Sequence, residues 1–270
     1  MTVEPATALA VVTSTTAAQL VRPISPIMFR FSTVVYLYLA VVASVQAQQQ
    51  QGNSPLRAIG QFVDGVANLF QARGNRLADV PIQSRLVQYN DGNVRLTGYL
   101  AYPLENGTAR PGILIAHDFN GRDAFEDGKA NDLARLGYVA FAYDLYGKVG
   151  ATTEENIALM RPFTENRDLL LKRIQLSLDQ LKQAPGVNQN MLGAIGFCFG
   201  GMAVLDMARA NLAGVQVVVS FHGTLDPPPT TNTSSIRAKV LVCHGHNDSS
   251  ITPDKVPVTH PTYSTNRVFS

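Results

Sequence analysis

Gly196-Phe197-Cys198-Phe199-Gly200-Gly201 carries the sharpest chemical signal in this 270-residue chain. Its spacing is that of the G-x-S-x-G elbow, with cysteine where serine is usual. Such a turn lifts a nucleophile out between a strand and a helix, and Gly196 and Gly200 leave room for the neighbouring backbone. A cysteine there sits at a helix N-terminus, whose partial positive charge favours the thiolate. The N–H of Phe199 would point into the cleft as one donor to an oxyanion. The competing reading is a buried structural cysteine beside a glycine-rich turn.

Acids and bases are the next requirement, because a thiol nucleophile needs a group to take its proton. Asp118 follows the apolar run PGILIAH (111–117), and Asp248 follows KVLVCH (239–244). Each has a plainer role open to it: Asp248 lies in Asn-Asp-Ser, a turn sequence, and Asp118 can cap its own loop. The histidines are His117, His222, His244, His246 and His260. Cys243, His244, His246 and Asp248 resemble a metal cluster on paper. Neighbours on a strand point to opposite faces, however, so neither a metal nor any other cofactor is expected.

These residues need elements to hold them. RLVQY, then Asn90-Asp91-Gly92, then NVRLTGYLAYP predicts a β-hairpin. PGILIAH, YVAFAY (138–143), LGAIGF (192–197), VQVVVSF (215–221) and KVLVCH read as strands buried on both faces. Helices are predicted over 123–136, ending at Gly137, over 164–183 with Leu169, Leu170, Ile174, Leu178 and Leu181 on one stripe, and over 198–210. An antiparallel hairpin followed by strand–helix units argues an α/β fold, a mostly parallel sheet with helices on both faces. Ligands bind such sheets beyond the carboxyl ends of the strands. Functional residues are therefore expected just after Ala116, Tyr143, Phe197, Phe221 and His244.

The set HDFNGR (117–122), GYVAFAYDLYG (137–147), GFCFGG (196–201), VVSFHG (218–223) and VLVCHGHND (240–248) resembles the dienelactone hydrolase family. These are α/β-hydrolase-fold enzymes with a cysteine nucleophile, and the similarity runs from about Arg85 to Val256. The resemblance implies that Cys198 is the nucleophile and that Asp248 orients a catalytic histidine. It implies that Asp118 stands where an acid, usually glutamate, contacts the resting thiol, and that the Phe119 N–H is the second oxyanion donor. The implied substrates are small-molecule esters, lactones or thioesters. The family's cleft arginines have no clear counterparts among Arg161, Arg167 and Arg173.

The family's histidine follows a further strand. Only 22 residues follow Asp248, with three prolines between 253 and 261. His260 lies in the right region but between Thr259 and Pro261, and it is not expected to serve as the base. The expectation is a domain over 85–270 without its last strand–helix unit, weak or inactive in turnover. The alternative is a catalytically dead fold kept as a binding or interaction module.

The N-terminal part reads as an address. Residues 31–47, FSTVVYLYLAVVASVQA, are uncharged and follow Arg30. The run is shorter than a spanning helix and ends in small residues, the pattern of a signal peptide over 28–47. An uncleaved signal anchor is the alternative. Residues 1–27 read as an unstructured upstream extension, with translation from Met1 or Met28 open, and 48–84 as a polar linker with a short helix. A secreted protein without membrane contact after cleavage is expected, and the sequons at Asn106 and Asn232 would then be glycosylation candidates. A formal net charge of +2 with no basic cluster excludes a nucleic-acid groove. Two cysteines exclude a disulfide framework. Oligomeric state is not legible.

Overall fold

The computed structural model describes residues 9–12, 81–104, 109–228, 236–243 and 268–269. Its strands are β1 (Leu9–Val12), β2 (Ile82–Asp91), β3 (Val94–Pro103), β4 (Arg110–Ala116), β5 (Val139–Ala142), β6 (Val187–Phe197), β7 (Val215–Phe221), β8 (Lys239–Cys243) and β9 (Val268–Phe269). The helices are α1 (Ala124–Arg135), α2 (Thr153–Glu165), α3 (Arg167–Lys182) and α4 (Phe199–Arg209).

The strands form one sheet in the order β2-β3-β5-β4-β6-β7-β8-β1-β9. The hairpin β2–β3 pairs antiparallel from Ile82↔Pro103 to Asp91↔Val94, and β3 joins β5 antiparallel. From β5 through β4, β6, β7 and β8 every pairing is parallel. This is the mostly parallel sheet with an antiparallel hairpin that the strand–helix pattern implies, and it agrees with the fold implied by the resemblance. The hairpin turns at Gly92, whose φ of 58° suits glycine, so Asn90 and Asp91 lie in β2 rather than in the turn.

Period-two alternation sends the strand side chains to two cores. On β4, Ile113 and Ile115 pack with Ala130, Leu133 and Ala134 of α1, whereas Leu114 and Ala116 pack with Leu170, Ile174 and Leu178 of α3 and with α4. Burying each such Ile or Leu contributes about 1.5–3 kcal/mol, and Ile113, Leu114 and Ile115 are all at most 2% exposed. That pinned register is what holds the loop after Ala116 in place.

Caps set the helix limits. In α1 the Asp123 side chain accepts from the Phe125 N–H (2.7 Å), and Glu126 accepts from the Asp123 N–H (3.0 Å), a capping box. The helix expected over 164–183 starts instead at Arg167. Asn166, at φ −125°, ends α2 and caps α3 by accepting from the Leu169 N–H at 3.0 Å. The leucine stripe belongs to α3 alone, and α2, opened by Thr152, is a separate helix.

Leu9–Val12 falls within the stretch read as an unstructured extension, and here the structure differs. The apolar LAVV run pairs parallel with β8, supplying partners to an edge that would otherwise be open, and β9 pairs outside it. The signal segment 28–47, the linker up to 80, both sequons, His244, His246, Asp248 and His260 lie outside the described residues. Among the described residues no helix is long and apolar enough to cross a membrane.

Candidate active site

β6 enters the elbow and α4 leaves it. Cys198 lies between them at φ 53° and ψ −115°, a conformation that costs a non-glycine residue of order 1–3 kcal/mol. Three bonds hold it there. The Cys198 N–H donates to the Phe221 carbonyl of β7 (2.9 Å), and the Cys198 carbonyl accepts from the N–H groups of Gly201 (2.9 Å) and Met202 (3.3 Å). A side chain at Gly196 would overlap the Gly200 carbonyl. A Cβ at Gly200 would sit 2.5 Å from the carbonyl oxygens of both Ala116 and His117. The glycines are thus required by the close approach of α4 to β6 at Gly196 and to the end of β4 at Gly200. The N–H of Phe199, first in the helix, has no acceptor within α4. Cys198 is partly exposed, while every residue of α4 itself is buried.

Next to the elbow is the loop after β4. His117 is fully buried and both ring nitrogens are used: Nδ1 lies 2.6 Å from the Asp118 carbonyl, and Nε2 accepts from the Leu145 N–H at 3.2 Å. This arrangement requires the neutral ring with its proton on Nδ1, and burial pushes the imidazole below its usual pKa. His117 thus ties the β4 loop to the β5 loop. Phe119 follows Asp118 here, half-buried against the core.

The Asp118 carboxylate turns back on its own loop. Its Oδ1 accepts from the Asn120 N–H (2.7 Å) and its Oδ2 from the Asn120 side-chain amide (3.3 Å). Burial raises its pKa, opposed chiefly by the Asn120 N–H. The structure therefore shows the loop-capping arrangement for Asp118, beside the elbow.

After β5 comes the loop expected to follow Tyr143, in which no individual residue was singled out. The Asp144 carboxylate accepts from the N–H groups of Thr97 (2.9 Å), Tyr146 (2.9 Å) and Gly147 (2.8 Å). Arg173 donates to the Leu145 carbonyl and to Asp91 (3.0 Å). The Tyr146 ring is thereby fixed edge-on to His117 (4.7 Å between centroids), stacked on Phe163 (5.6 Å) and close to Phe199 (6.1 Å). The signal for it was positional, since Tyr146 lies three residues past a carboxyl strand end.

His222 caps β7 at φ 42°, exposed, with its N–H on the Cys243 carbonyl (2.7 Å). Arg167 and Arg173 are tied to Asp206 and Asp91, and Arg161 is exposed on α2. Neither cysteine is in a disulfide, and β7 lies between their strands. Among the described residues no group of three metal-ligating side chains occurs.

The model of the dienelactone hydrolase family matches residues 96–269. The chain belongs to the dienelactone hydrolase family. An uncharacterised protein of Caenorhabditis elegans is 48% identical over 65 residues, covering 24% of this chain and 41% of that one. A Synechocystis protein provisionally named carboxymethylenebutenolidase is 28% identical over 187 residues, covering 64% of this chain and 75% of its own. Among solved structures, one named m3DLH is 32% identical with a TM-score of 0.61, covering 65% of this chain and 73% of that one. A dienelactone hydrolase-like promiscuous phosphotriesterase from metagenomic libraries is 30% identical with the same TM-score and the same coverages. The family places this chain among hydrolases of that type.

Proposed function

We propose that this chain is a dienelactone hydrolase-type enzyme that opens an ester, lactone or thioester through Cys198. The observation that supports this most is the strained backbone of Cys198, held at φ 53° between a buried parallel strand and a buried helix by glycines that admit no side chain. Strain of that kind persists where the exposed position of one side chain matters.

In this reading the Cys198 thiolate attacks the carbonyl carbon, and the new oxyanion accepts from the N–H groups of Phe119 and Phe199. Collapse forms a thioester on Sγ and expels the alkoxide or thiolate, which leaves with a proton. Water then attacks the thioester, restoring Cys198 and releasing the acid. The resemblance casts Asp248 as the acid in the family's order of nucleophile, acid and histidine. His117 is not that base, because both of its ring nitrogens are bonded in a fully buried site. In this reading acylation outruns deacylation, so the first turnover is the readout.

Mixing the full chain with p-nitrophenyl acetate tests this. A rapid release of about one equivalent of p-nitrophenolate per chain, followed by a slow phase and lost in Cys198→Ala, is the expected result. An equal signal from Cys198→Ala, or no burst at all, would favour the non-catalytic interaction module.

A further inference from the structure

Asn156 lies at the end of the first turn of α2 and is 7% exposed. A helix position facing the interior ordinarily takes an apolar side chain, since a buried amide without its hydrogen bonds destabilises the fold. Asn156 meets only half of its own bonding capacity. Its Nδ2 donates to Asn120 Oδ1 of the β4 loop at 3.0 Å, while its Oδ1 is buried with no hydrogen-bond partner among the described residues. Gly150 makes room for that oxygen, because a Cβ there would overlap it. Leucine would fill nearly the same shape without an orphaned carbonyl, so packing does not account for asparagine. What asparagine adds is the bond to Asn120.

That bond closes a chain running from Asp118 through Asn120 to Asn156. Asn120 donates its backbone N–H to Asp118 Oδ1 (2.7 Å) and its side-chain N–H to Asp118 Oδ2 (3.3 Å). With its amide nitrogen on the carboxylate, the Asn120 oxygen has to face a donor, and Asn156 supplies it. Turning both amides over would set the Asn120 oxygen against the Asp118 carboxylate, so the carboxylate fixes the direction of the chain. The peptide between Asp118 and Phe119 is held from its other side as well. Its carbonyl lies 2.6 Å from His117 Nδ1 and accepts from the Gly121 N–H at 3.5 Å. A trans peptide is planar with its N–H opposite its carbonyl, so the Phe119 N–H faces away from the buried His117 ring.

We propose that Asn156 is a positioning residue for the oxyanion site: through Asn120 and the Asp118 carboxylate it holds the turn 118–121, and with it the Phe119 N–H, in the orientation that receives the acyl oxygen. The inference rests on the reading of Cys198 as the acylated nucleophile with Phe119 as an oxyanion donor. It extends the site to α2, and Asn156 acts on the chemistry only through the β4 turn.

The test compares two reactions of the same sulfur in the full chain. Acylation by p-nitrophenyl acetate develops an oxyanion, whereas alkylation by iodoacetamide displaces iodide at a saturated carbon and develops none. Asn156→Leu keeps the shape and Asn156→Ala avoids any crowding at Gly150, each assayed below its melting transition. In both, the acylation rate constant is expected to fall about tenfold, less than the roughly 10²–10³-fold loss of an entire oxyanion donor. The alkylation rate of Cys198, read by peptide mass, should stay unchanged. Asn120→Ala should slow acylation at least as much, and adding Asn156→Leu to it should slow it no further, as for residues acting in series. Unchanged acylation in both Asn156 variants would overturn the inference. A parallel fall in alkylation would also overturn it, because Asn156 would then support the elbow as a whole, as would full additivity of the two substitutions. No burst in the unmodified chain would instead overturn the acyl-transfer reading, and the inference with it.

Discussion

Gly200→Ala is a one-methyl probe of the elbow. The added Cβ would lie 2.5 Å from the carbonyl oxygens of Ala116 and His117, both backbone atoms that cannot rotate aside. Relief requires α4 to move off β4, or the β4 loop to move off α4, by most of an ångström. Overpacking of a close-packed interior typically costs about 1–3 kcal/mol, and more where backbone must shift. Helix propensity works the other way, with alanine better than glycine by about 1 kcal/mol, so a net loss of about 2 kcal/mol is the working figure. Gly128→Ala in α1 isolates the propensity term, because a Cβ there meets nothing within 4 Å. Urea unfolding followed by circular dichroism should place Gly128→Ala above the unmodified protein by up to about 1 kcal/mol and Gly200→Ala about 2 kcal/mol below it. The displaced loop carries Phe119, so Gly200→Ala should also depress the acylation burst. A Gly200→Ala protein as stable as Gly128→Ala would refute the argument that contact between α4 and β4 dictates the glycine.

Glu126 is 1% exposed, and burial raises its pKa to about 7. A carboxyl whose folded pKa exceeds its unfolded value stabilises below the unfolded value and loses that contribution as pH rises through the folded one. The stability of Glu126→Gln relative to the unmodified chain should therefore grow between pH 5 and pH 8 by about 3 kcal/mol, and parallel curves across that window would contradict it. Asp206 is buried and paired with Arg167 and with Arg209 (2.7 Å). Asp206→Ala leaves two guanidinium groups uncompensated and should cost about 3–5 kcal/mol in chemical denaturation; a loss below about 1 kcal/mol would mean that the pair is solvent-relieved. N-terminal sequencing of protein exported from an expressing cell should begin near Gln48 if residues 28–47 are a cleaved signal, and retention of Met28 or earlier residues in exported protein would contradict that.

What the sequence made legible follows from how local each cause is. β4, β7 and β8 were visible because a strand covered on both faces reads as an unbroken apolar run. α1 was visible because its helical spacing stops at Gly137, whose φ of 95° suits glycine. The elbow was visible because close approach of backbone leaves glycine as the residue that fits at 196 and 200. The split between α2 and α3 was harder, because Asn166 acts as a cap through its side chain while the leucine stripe runs on past it. The first part of β6, Val187–Met191, carries polar residues at the sheet's lower end and gives no apolar run. Asp118 turned onto Asn120, His117 spanning two loops and the unpaired Tyr146 hydroxyl depend on contacts between loops distant in sequence. Asp248 stays where the sequence left it, an expectation outside the described residues.

The central claim is that Cys198 is the nucleophile, and peptide mapping after a brief exposure to an activated ester tests it most directly. The account predicts one acyl group per chain, on the peptide containing Cys198, formed in a rapid phase and removable by hydroxylamine. An unlabelled Cys198, or label placed instead on Cys243 or on surface lysines at the same rate, would contradict it.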